Sequence, residues 1–135
     1  MNTNDHDVFK YRKSNWKRKS KKVMDTVTKM FEDIAYGRRP NLHDIWTHAH
    51  DLVALGQTAI ELNEMATTLR KSKRTLQDIS RAANLIESAS QHLQAVSQTI
   101  GMPSDMPTFV SPLIFEASVE TPTLTDVLSS EDKGE

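Results

Sequence analysis

Between Asn41 and Ile100 the chain has no proline and one glycine, Gly56, and no other feature constrains the fold as strongly. Sixty residues without a breaker admit long helices and little else. Within them Leu62, Met65, Leu69, Leu76, Ile79, Ala83, Ile86, Leu93 and Ile100 recur at alternating steps of three and four, with Ser72, Ser90 and Ser97 at the intervening seam positions. This is a heptad pattern, weakened by Ala and Ser. Upstream, Leu42, Ile45, Ala49, Leu52 and Ala59 follow the same spacing displaced by one step, so one continuous coiled coil would need a stammer near residue 60.

A break is the preferred alternative. "RKSKRT", residues 70–75, is an apolar-free hexamer, and "TLQD", residues 75–78, can cap a new helix. The expected helices are 42–70 and 75–100, paired as an antiparallel hairpin. Ala82, Leu85, Ala89 and Val96 widen the apolar face of the second, which suits a bundle. Left unbroken, the segment would be a rod about 90 Å long.

Before it, Val23, Met24, Val27, Met30, Phe31 and Ile34 mark a helix over about 20–36, stopped by Gly37 and Pro40. Asn41, with Asp44 three residues on, is a candidate cap for the next helix. After Gly101, four prolines at 103, 107, 112 and 122 end the helical pattern. The expected fold is therefore all-α: a helical bundle or hairpin with a coiled-coil-like seam over 20–101. A flexible basic arm, 1–19, precedes it, and an acidic, largely irregular tail, 102–135, follows. Only 37% of residues are hydrophobic, which fits a small core with unpacked ends.

Charge is partitioned along the chain although the net is −1. Residues 10–39 hold eleven Lys or Arg against three Asp or Glu, a net of +8, whereas residues 102–135 hold one Lys against seven acids, a net of −6. Five cations in the six positions 17–22 repel one another unless an anion is near. A phosphate backbone rewards such a run through counterion release. The candidate nucleic-acid contacts are Lys10, Arg12, Lys13, Lys17, Arg18, Lys19, Lys21, Lys22, Arg38 and Arg39, with Trp16 and the interleaved Tyr11 available to stack on bases. The link at 70–74 can extend the patch if folding brings it to the same end.

Self-association is expected through Leu62, Met65, Leu69, Leu76, Ile79, Ile86, Leu93 and Ile100. The apolar stretch Phe109, Leu113, Ile114 and Phe115 in the tail either folds back on the bundle or docks on a protein partner; partner docking is the expected use. The alternative function is a peripheral matrix-like or adaptor protein that binds a protein partner or an anionic membrane, the latter through its basic head with Phe9, Tyr11 and Trp16 as anchors.

Enzyme chemistry is not expected. The four glycines, at 37, 56, 101 and 134, are too scattered for a phosphate-binding loop, and no nucleophile elbow is present. Cysteine is absent, and His43, His48 and His50 with Asp44 and Asp51 do not gather on one helical face, so neither a metal nor a cofactor is expected. No apolar run has the length of a signal peptide or a membrane span, so an intracellular or virion-associated protein is expected. The order of basic arm, helical segment and acidic tail is similar to the layout of phage small terminases, viral phosphoproteins and packaging or scaffolding proteins. It implies a packaging, assembly or replication accessory role and carries over no individual residue.

Overall fold

The computed structural model describes residues 3–101 and 106–113. Three helices, α1 (Thr3–Ala35), α2 (Leu42–Thr68) and α3 (Lys73–Thr99), form an all-α bundle. Contacts between Arg12 and Glu61 and between Trp16 and Leu55 run α1 antiparallel to α2. Those between Lys17 and Asp78 and between Phe31 and His92 run α1 parallel to α3. The topology is up, down, up.

The main departure from expectation is at the N-terminus. The expected flexible arm is the first half of a 33-residue helix. Its buried face, Phe9, Trp16, Ser20, Met24 and Val27, continues the stripe seen from Val23 onward back into the basic run. The stripe is interrupted in the sequence by Lys13 and Lys17, whose stems border the core while their ammonium groups reach a carboxylate. Polar heads on amphipathic stems made an inner face look like a solvated arm.

Helix α1 stops as expected at Gly37, which has φ +85°. The Gly37 N–H donates to Ile34 O (2.9 Å) and the Arg38 N–H to Asp33 O (2.9 Å), which closes a Schellman motif. Asn41 then caps α2, its side-chain oxygen accepting from the His43 N–H at 2.8 Å. The second turn uses the same geometry without a glycine. Arg70 takes φ 57°, and the Lys71 N–H donates to Ala66 O (2.9 Å). The cap of α3 is Ser72, whose oxygen accepts from the Thr75 N–H (3.2 Å), so α3 starts at Lys73, ahead of the expected cap at Thr75.

The core lies between the helices of one chain. Ile45, Ala49, Leu52, Ala59, Leu62 and Ala66 of α2 meet Ile79, Ala83, Ile86, Ala89 and Leu93 of α3, and α1 lays Phe9, Trp16, Met24 and Val27 across them. Of the residues expected to drive self-association, Leu62, Leu69, Ile79, Ile86 and Leu93 are buried here and Met65 and Leu76 pack at its edge. Only Ile100 is exposed.

Residues 106–113 have no helical turn, and they fold back over α2 and α3. Phe109, expected to anchor a partner, is buried on its own bundle. Its N–H donates to Ser90 Oγ at 2.9 Å, and Thr108 Oγ1 donates to Gln94 Oε1 at 2.9 Å. A Cβ on Gly56 would lie 2.5 Å from three carbons of the Phe109 ring. The glycine inside α2 is therefore a notch that receives an aromatic ring. Leu113 packs half-buried against the core, and the anchors Ile114 and Phe115 lie outside the described residues.

Candidate nucleic-acid interface

Folding sorts the basic run into two sets. The inner set is already engaged. Lys13 and Lys17 converge on Asp78 of α3 at 3.0 and 2.9 Å, with all three side chains mostly shielded from solvent. Burial, the largest single influence on Asp78, pushes its carboxyl up. The hydrogen bonds from Lys17 and Lys13 and their charges together outweigh it and hold the pKa below the usual carboxylate value. Arg12 pairs with Glu61 of α2 at 2.9 Å in a more exposed setting and points its other terminal nitrogen to Met65 Sδ at 3.3 Å. Trp16, expected to stack on bases, is 2% exposed, and its indole N–H donates to Leu55 O at 3.0 Å. These groups hold α1 against the other helices.

The outer set is exposed. Lys10, Arg18, Lys19, Lys21 and Lys22 face solvent along α1. Among the described residues Lys10, Lys19 and Lys22 make no ion pair, and Arg18 bonds only the side-chain oxygen of Asn15, at 3.2 Å. From Lys10 to Lys22 the axial rise is about 18 Å.

The α2–α3 link lies at the same end of the bundle as Lys10. Lys71 Nζ sits 5.3 Å from the centre of the Phe9 ring, a cation–π contact, and Arg70 of that link and Arg74 in the first turn of α3 are exposed. Folding brings the 70–74 segment to the end of the bundle that holds Phe9 and Lys10. Arg38 and Arg39 do not join it, because they follow the far end of α1, roughly 40 Å along the axis from Lys10. Arg38 is bound there to Asp33 at 3.3 Å.

Between α1 and α2, beside this face, lies a groove of about 490 Å³. Tyr11, Arg12, Asn15, Lys19 and Lys22 form its α1 wall, and Asp51, Ala54 and Thr58 its α2 wall, with Trp16 and Leu55 at the base. Tyr11 is 68% exposed. Asn15 and Asp51 were not foreseen as wall residues. The i, i+4 series Tyr11, Asn15, Lys19 would have shown Asn15 once α1 was extended through the basic run, whereas Asp51 depends on how α2 crosses it.

Elsewhere the histidines do not assemble. His43 and His50 are exposed, His50 rests against Trp46 with ring centres 5.1 Å apart, and no metal-binding group of three His, Asp or Glu residues exists among the described residues. No helix among them is long and apolar enough to cross a membrane. Comparison with protein-family models, curated proteins and solved structures finds no match.

Proposed function

We propose that this is a non-enzymatic nucleic-acid-binding protein that holds the phosphate backbone on the outer face of α1 and the adjoining α2–α3 link. The observation that carries this reading is the separation of the cations: Lys13 and Lys17 share the carboxylate of Asp78 within the bundle, while Lys10, Lys19 and Lys22 remain exposed without an acidic partner among the described residues. Exposed like charges on one helix repel, and a polyanion relieves that repulsion while releasing its counterions. The anionic-membrane reading loses support, because Phe9 and Trp16, two of its three anchors, are 3% and 2% exposed. Self-association through the heptad seam loses support too, since the bundle would have to open to present those residues. A packaging, assembly or replication accessory role is compatible with backbone binding of this kind.

The test is binding to duplex DNA and RNA across a salt series. Four to six phosphate contacts from Lys10, Arg18, Lys19, Lys22, Arg70 and Arg74 give log K against log salt a slope of roughly −4 to −5 on B-DNA. Replacing Lys10, Arg18, Lys19 and Lys22 by alanine flattens the slope by about 3 to 4 units and weakens binding alike on all sequences. No binding at about 50 mM salt, or a slope shallower than about −1, overturns the reading.

A further inference from the structure

We infer that the groove between α1 and α2 takes an unpaired nucleobase, so that the protein prefers single strands to duplexes. This rests on the nucleic-acid reading above and adds what the outer face of α1 alone does not supply, a place for a base.

The groove combines three properties. Its volume of about 490 Å³ lies within the range of about 300–1,000 Å³ usual for small-ligand sites. Its base is apolar, since the Trp16 indole N–H is already satisfied by Leu55 O. Its mouth carries an exposed aromatic ring, Tyr11, on the same wall as two cations without acidic partners among the described residues, Lys19 and Lys22.

Tyr11 and Lys19 are eight residues apart on one helix, an axial rise of about 12 Å. A base stacked on Tyr11 therefore leaves its flanking phosphates within reach of the lysine side chains. Arg12 does not compete for the base, because Glu61 holds it at 2.9 Å. Asp51 is the carboxylate facing this space from α2. It lies four residues along α2 from Leu55, as Lys19 and Lys22 lie three and six along α1 from Trp16. A carboxylate there stands at the lysine end of the groove, about 13 Å along the axis from Tyr11, too far to meet a base stacked on that ring. Asn15, beside Tyr11, can donate to and accept from a base edge. A duplex cannot use this site, because its base faces are covered by their neighbours in the stack.

The experiment compares fluorescence anisotropy of labelled single-stranded oligonucleotides about 15 nucleotides long, matched to the usual span of a single-strand site, with blunt-ended two-strand duplexes of the same length, at one low salt concentration. The wild-type protein is expected to bind single strands more tightly. Tyr11→Ala weakens single-strand binding about 5- to 150-fold, the equivalent of one lost base stack, and leaves duplex binding unchanged. Tyr11→Phe keeps the ring and restores the preference. The exposure of Tyr11 makes both variants safe for folding, which circular dichroism verifies. Equal binding of both substrates with no effect of Tyr11→Ala overturns this inference and leaves backbone binding standing. So does an equal loss on both substrates. Failure of both substrates to bind overturns the inference and the functional reading together.

Discussion

Replacing Gly56 by alanine sets two effects of known sign against each other. In a helix interior alanine is better than glycine by about 1 kcal/mol, so an unobstructed Gly56→Ala would stabilise. Here the new methyl would stand 2.5 Å from three carbons of the Phe109 ring, well inside the ~3.5–4.0 Å of a carbon contact. The ring must lift by about 1 Å or leave. Burial of a Phe side chain contributes about 1.5–3 kcal/mol and the Phe109 N–H bond to Ser90 Oγ about 1 kcal/mol. Losing half of the first and most of the second costs about 2 kcal/mol, which exceeds the helix gain. Gly56→Ala is therefore expected to destabilise the protein by about 1 kcal/mol. With Phe109→Ala already present, the same change should stabilise it by about 1 kcal/mol, a coupling of about 2 kcal/mol between the two sites. Urea unfolding of the four proteins, followed by far-ultraviolet circular dichroism, measures the cycle. If Gly56→Ala stabilises both backgrounds equally, with coupling under about 0.5 kcal/mol, the packing of residues 106–113 on α2 is refuted.

Asp78→Asn should cost about 1–3 kcal/mol at neutral pH, because it leaves Lys13 and Lys17 shielded without their carboxylate. Since the folded pKa of Asp78 lies below its ordinary value, its contribution is present above about pH 4 and is lost as pH falls through the lowered folded value, so the gap in urea midpoint between wild type and variant should narrow as pH falls below about 4. A gap that persists unchanged in acid contradicts the charge-based account. Trp16→Phe should destabilise by about 1–2 kcal/mol through loss of the indole bond to Leu55 O, with nucleic-acid affinity unchanged; a selective loss of affinity would return Trp16 to the binding surface.

How far the chain was legible depends on what each signal measures. Caps and stops are local, so Gly37 and Asn41 could be placed from their neighbours alone. The α2–α3 turn was found within a few residues, but its stop is Arg70 at φ 57°, a conformation that an arginine adopts only because the flanking bonds compensate. The inner and outer members of the basic run could not be separated, because hydrophobicity marks a buried methylene stem and an exposed one alike. What distinguishes Lys13 from Lys19 is the position of Asp78, some sixty residues away.

The sequence by itself determined that the fold is helical and where the breaks fall, since proline, glycine and apolar period act through the backbone within a few residues. It also determined that the cations are concentrated in one stretch. Tertiary structure alone decided which helices cover Leu62, Leu69, Ile79, Ile86 and Leu93 within the bundle, because an apolar stripe does not itself name the surface that covers it. It decided as well that Trp16 is core, that Gly56 is a slot for Phe109, and that Tyr11, Lys19 and Lys22 share a groove with Asp51. Each of these depends on which residues distant in the chain become neighbours, and no local pattern records that.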